Sequence, residues 1–236
     1  MGHKKYLDLF LEQRMNSVDG EEIKSKLEAA IDEEKKCLDS FKFQIDYCQK
    51  QIASINKIFA SKGCSHDLIV KKRAFEEYKA ILNVAAQIQE CSYETKGIQK
   101  ILYFVKNESS RERVAIDAAE MMYEWCNDLK ELTGKEYQEI SQRLLSEDDL
   151  RKNRSTRKKL VDFFNQEKDV LSEVRHNVGA HREHDFIKQM AVLESVNWSD
   201  TIERLHRFEE ITLEMGHTMK PLIAAGLKKI TEAFGK

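Results

Sequence analysis

From Glu21 to Lys62 the apolar positions keep a strict rhythm. Leu38, Phe41, Ile45, Cys48, Ile52, Ile55 and Phe59 alternate spacings of three and four, and the register extends back to Ile31 and Leu27. Glu34 is the one polar intrusion. This is the seam of a helix roughly 60 Å long. The aromatic rings of Phe41 and Phe59 suit packing on a neighbouring helix of the same chain better than a parallel dimeric zipper. Before it, Tyr6, Leu7, Leu9, Phe10, Leu11 and Met15 predict a short amphipathic helix over 4–17, with a stop at Asp19-Gly20. After it, Lys62-Gly63-Cys64-Ser65 reads as a break, with Gly63 ending one helix and Ser65 or Asp67 opening the next. Leu68, Phe75, Tyr78, Leu82, Ala85 and Ile88 then predict a helix over 68–89, antiparallel to the first.

The same periodicity predicts further helices. One covers 92–105, with a stripe of Ile98, Ile101, Leu102 and Val105. The next is opened by a capping box at Ser109-Ser110-Arg111-Glu112 and closed by Thr133-Gly134, and a short one covers 137–145. Ser155 or Thr156 is expected to cap another, which runs to Val174. On its apolar stripe lies Glu167, a carboxylate that needs an arginine from a neighbouring helix. A short helix over 186–193 follows. Asp200 is expected to cap a long helix to Met219, and Pro221 to start or kink a last one to Phe234.

Composition agrees with this pattern. One proline and nine glycines leave few places where helices must stop, and 34% charged residues suit wide solvated faces. The fold class is therefore all-α, a helical bundle carrying a long N-terminal helical hairpin. If the chain divides, it divides at Gly63, into an extension over 1–63 and a bundle over 64–236. Net charge is −2, so a nucleic-acid site must be a local patch. Five scattered cysteines with no Cys-x-x-Cys pair read as buried thiols in a reducing compartment. With no secretory signal and no long apolar run, a soluble cytoplasmic protein without membrane contact is expected.

Two stretches carry candidate chemistry. Residues 151–159 hold six basic groups in nine, preceded by Glu147, Asp148 and Asp149. They read either as a solvated connector or, through Arg157, Lys158 and Lys159, as a contact to an RNA backbone. The second stretch is 173–185, Glu-Val-Arg-His-Asn-Val-Gly-Ala-His-Arg-Glu-His-Asp, with two arginines, three histidines and three carboxylates. On an unbroken helix Arg175 and His181 would diverge by roughly 120°. A turn at Asn177 or Gly179 would let them converge on one ligand.

Arg175-His176 followed by Ala180-His181-Arg182-Glu183 resembles the Arg-x(4–6)-His signature of HEPN-domain ribonucleases, including those of phage abortive infection and toxin–antitoxin systems. His176 takes the place where asparagine is commoner. The resemblance covers about the C-terminal two-thirds of the chain and leaves the first sixty residues without a counterpart. It implies a HEPN-type bundle and a metal-independent endoribonuclease that acts by 2′-OH attack and needs no cofactor. Arg175, His181 and His176 would then be catalytic, and Asn177 and Arg182 would contact substrate. It also implies a homodimer whose motifs face each other, RNA as substrate and an antitoxin protein as a partner.

Three other readings stay open from the residues alone. His176, His181 and His184 could hold a metal, His181 and His184 lying one turn apart, although no cysteine or carboxylate stands at a familiar zinc spacing. The domain could bind nucleotides, RNA or a protein without cleaving. It could also be a helical scaffold, with Arg175 paired to Glu173 or Glu183. No glycine-rich phosphate loop or Gly-x-Ser-x-Gly elbow points to another enzyme class.

Overall fold

A computed structural model describes residues 18–177 and 186–235. Among the described residues there are seven helices and no strand: α1 (Val18–Lys62), α2 (His66–Phe104), α3 (Glu108–Leu132), α4 (Lys135–Leu144), α5 (Glu147–Asn177), α6 (Phe186–Ser195) and α7 (Trp198–Phe234). The all-α expectation holds. α1 lies along α2, α2 along α7, and α3 packs on α5, which in turn meets α7.

The periodic seam of α1 is an intramolecular one. Cys48 and Ile55 are buried with Phe75, Tyr78 and Leu82 of α2, and Phe41, Ile45, Ile52 and Phe59 pack at the margin. Each fully buried Leu or Phe in such a contact contributes about 1.5–3 kcal/mol. Glu34, the intrusion in the seam, meets Lys96 Nζ at 2.7 Å, and Ser92 donates to the same carboxylate. Gly63, at φ 81°, ends α1 in the left-handed conformation that favours glycine. Ser65 then caps α2 by accepting from the Leu68 N–H.

The main core gathers α2, α3, α5 and α7 around Leu102, Met122, Leu129, Leu160, Leu171, Leu205 and Phe208. Glu167 has the partners its position demands. Arg204 Nε and Arg207 of α7 donate to its two oxygens, each at 2.8 Å. That clamp fixes α5 on α7 two turns before the motif.

Several boundaries differ from expectation. The expected helix over 4–17 lies outside the described residues, and Asp19-Gly20 sits inside the first turn of α1 instead of stopping a helix. The helices expected over 68–89 and 92–105 are one, α2. Thr95 stays helical by donating to the Cys91 carbonyl, and Ser92 is tied to Glu34 and Lys96. The inward face of that half is Cys91, Ser92, Thr95, Gln99 and Leu102, while Ile101 is exposed. Asn107, not Ser109, caps α3, and Asn197, not Asp200, caps α7, each side chain accepting from the first backbone N–H groups of its helix.

The two helices expected around Pro221 are also one. Burial of Met215, Met219 and Leu222 holds α7 together across the missing donor. Finally, 151–159 is no connector but part of α5. Ser146 accepts from the Asp149 N–H at its start, and Thr156 is an interior residue bonded back to the Lys152 carbonyl.

Candidate functional site

α5 carries Glu147, Asp148 and Asp149 in its first turn and Arg175 and His176 in its last. Acids at the N-terminal end and bases at the C-terminal end both complement the helix dipole. The acidic–basic sequence that suggested a neutralised connector is thus accounted for by one helix. The same arrangement brings Arg175 and His176 out at the end of α5, against α3.

There Arg175 meets two residues that sequence reasoning did not single out. Its Nε donates to a carboxylate oxygen of Glu124. Its guanidinium lies over the Tyr123 ring, 5.3 Å from the centroid. The ring of Tyr123 is in turn held edge-on by Phe164 at 5.6 Å, and His176 stands 6.3 Å from it on another side. Lys130 lies over the Phe164 ring, 4.7 Å from its centroid. Glu124 and the neighbouring acids raise the Arg175 pKa further, chiefly through the hydrogen bond to Glu124. The guanidinium is a fixed positive charge, its side chain 21% exposed, on a rigid aromatic bed.

The other expected site residues divide. Asn177 is the last described residue of α5. His181, Arg182 and His184 lie outside the described residues, as do Gly179 and the approach of His181 to Arg175. Among the described residues no three His, Cys, Asp or Glu side chains are gathered closely enough to hold a metal ion.

Arg157, Lys158 and Lys159 each have a partner within the chain. Arg157 Nε donates to the Thr133 carbonyl at 2.9 Å, closing the C-terminal end of α3. Lys158 meets Asp162 at 2.6 Å, and Lys159 meets Glu214 at 2.7 Å. These partners differ from the acids at 147–149, of which Asp148 pairs with Arg151.

A second polar cluster stands apart from the motif, between α1, α2 and α7. Lys96 is shared by Glu34 and, at 3.5 Å, by Glu209. Gln99 donates to Glu209 at 2.8 Å, and the Tyr103 hydroxyl is bonded to His206. Burial, then the Glu209 charge, pushes the Tyr103 hydroxyl well above its ordinary pKa. Every member has a partner, so the cluster serves to lock three helices together.

No helix among the described residues is long and apolar enough to cross a membrane. Comparison with protein-family models, with curated proteins and with solved structures gives no significant match for this chain.

Proposed function

We propose that this chain is a metal-independent endoribonuclease of the HEPN type, acting as a homodimer on RNA in phage defence or a toxin–antitoxin system, with an antitoxin protein as a further partner. The observation that carries the reading is the setting of Arg175. In the last turn of α5 it lies on a bed made by Tyr123 and Phe164, and His181 follows six residues later in the sequence. Arginine offers a planar fork matched to phosphate oxygens, and histidine titrates where a proton must be both taken and given. In this reading the 2′-oxygen attacks the adjacent phosphorus as its proton passes to a base, and the P–O5′ bond breaks as the leaving oxygen takes a proton. The products are a 2′,3′-cyclic phosphate and a 5′-hydroxyl.

His181 carries the proton transfer, Arg175 binds the phosphate and His176 orients the pair, while Asn177 and Arg182 contact substrate. One histidine and one arginine make half of such a site, and a second protomer supplies the other half. Arg157, Lys158 and Lys159 stand apart from this chemistry. Arg157 is roughly 27 Å along the helix from Arg175. In a role holding the RNA backbone, each of the three would share its N–H donors between phosphate and its present partner.

A second reading, a non-catalytic binding or scaffold module, draws on the ion pair between Arg175 and Glu124. A pair of this kind is what a purely structural arginine makes. The chemistry separates the two. RNA incubated with the protein in excess chelator should yield the cyclic phosphate and 5′-hydroxyl ends, and a 2′-deoxy substitution at the cut site should abolish that cut. Binding without cleavage would favour the module.

A further inference from the structure

The seam of α1 faces α2, and the opposite side of the helix is exposed. Near the middle of that outer face stand two aromatic side chains one turn apart, Phe43 at 74% and Tyr47 at 51% exposure. Beside Tyr47, between α1 and the end of α7, opens a groove of about 420 Å³ lined by Tyr47, Gln51, Phe75, Ile230 and Phe234. Its rings are fixed edge-on, Phe75 standing 6.2 Å from Tyr47 and 5.7 Å from Phe234. One helix thus presents a projecting ring and, one turn on, a preformed apolar hollow. Such a pair is self-complementary when two copies meet across a two-fold axis.

Charge along α1 selects the occupant. From Asp19 to Asp39 eight acids stand against four lysines, and from Ser40 to Lys62 four lysines stand against Asp46 alone. A nucleic-acid strand laid along the helix would cross the acidic half, and a parallel copy would set like halves together. An antiparallel copy sets acidic against basic. In a pair centred between Phe43 and Tyr47, Phe43 of the partner subunit lies on Tyr47 at the mouth of the groove. Glu33 and Lys57 stand twelve residues to either side of Ile45, so they come opposite each other, and Lys50 comes opposite Ser40 and beside Asp39. Among the described residues Asp39, Lys50 and Lys57 form no ion pair of their own. The overlap runs from Glu28 to Lys62, roughly 50 Å of helix, and a strip about 10 Å wide on each copy buries about 1,000 Å² in all, as much as a specific interface needs. We propose that α1 pairs with α1 of a second copy of this chain, antiparallel about a two-fold axis near Ile45, with Phe43 seated in the groove between Tyr47 and Phe234. This interface is separate from the motif, which lies on α5 against α3, and neither contact needs the other.

Sedimentation equilibrium of the full, nucleic-acid-free chain at micromolar concentrations, beside Phe43→Glu, tests this without any ribonuclease assay. The wild-type chain should be the heavier, and the substitution, on an exposed position, should weaken association at least about tenfold with the helical circular dichroism signal unchanged. Pairing through the motif would not mask the result, because Phe43→Glu removes only the α1 contact. Register is read by disulfide formation in a Cys37→Ser/Cys64→Ser chain. Ser40→Cys with Lys50→Cys should link two chains under mild oxidation, since within one helix the two positions are roughly 15 Å apart and cannot join. Lys50→Cys alone should not link. Equal masses for wild type and Phe43→Glu would overturn the proposal and leave the groove to residues 1–17 or to another protein. Failure of the double variant to link, or equal linking by Lys50→Cys alone, would overturn the antiparallel pairing.

Discussion

The Arg175 guanidinium and the Glu124 carboxylate form an ion pair that ties the last turn of α5 to the middle of α3. Under the proposed function this pair competes with substrate, because a phosphate would draw on the same guanidinium whose Nε Glu124 now engages. Glu124→Gln keeps a hydrogen-bond acceptor but removes the competing charge. RNA affinity at low salt should rise by up to about fivefold, the scale of one partly exposed pair. Fluorescence anisotropy with labelled RNA reads this directly. Unchanged affinity would mean that Arg175 does not meet the phosphate.

Glu77 sits between Lys229 and Arg143. Burial alone would raise its pKa, but the hydrogen bonds and charges of the two cations outweigh burial and hold it below its ordinary value. A carboxylate lowered on folding contributes stability above its unfolded pKa and loses it as pH falls through the folded one. Glu77→Gln should therefore melt earlier than wild type near neutrality, with the gap closing as pH drops through and below the usual carboxylate range. A gap that stays constant from about pH 7 to about pH 3 would show that the charge is not what matters.

α7 approaches α2 closely at Gly226. A Cβ there would stand 2.8 Å from Tyr78 Cδ2 and 3.0 Å from Ile81 Cδ1. The Tyr78 ring cannot swing aside freely, since its hydroxyl donates to Gln44 on α1 at 3.0 Å. Gly226→Ala should cost about 1–3 kcal/mol in urea unfolding despite its better helix propensity. A stabilised variant would place α7 farther from α2 than described here.

The five thiols should separate by burial. Cys64 is exposed and Cys37 half-buried, while Cys48, Cys91 and Cys126 are buried. Burial pushes the Cys126 thiol up to about 12 and Cys91 well above its ordinary value. A thiol reagent at neutral pH should label Cys64 fast and Cys37 slowly, and reach the other three only in denaturant. Fast native labelling of Cys91 or Cys126 would contradict the packing of α2 on α3.

What the sequence made legible follows physical rules with one solution. Phe41 to Phe59 keep helical spacing, so their common face could be read and is the face that packs on α2. Glu167 on an apolar stripe had to find a cation, and Arg204 and Arg207 are there. Other points were open because local rules allow several answers. Asn107, Ser109 and Ser110 are all good caps, and only packing selects Asn107. Ser92 and Thr95 look like an interruption until the Cys91 carbonyl and Glu34 take up their hydroxyls. The surroundings of Arg175 were illegible for a different reason. Tyr123 and Glu124 lie 52 and 51 residues upstream on another helix, where no local pattern marks them.

The most direct test of the proposed function is the RNA cleavage rate of His181→Ala beside wild type, both purified identically and assayed in excess chelator. The substitution should abolish cleavage while leaving the helical circular dichroism signal and melting temperature nearly intact, a stability change within about 0.5 kcal/mol. Arg175→Ala should behave likewise, and Arg175→Lys should recover only part of the rate because the planar fork is lost. Equal cleavage by wild type and His181→Ala would contradict the assignment and leave Arg175 a structural residue of the α3–α5 contact.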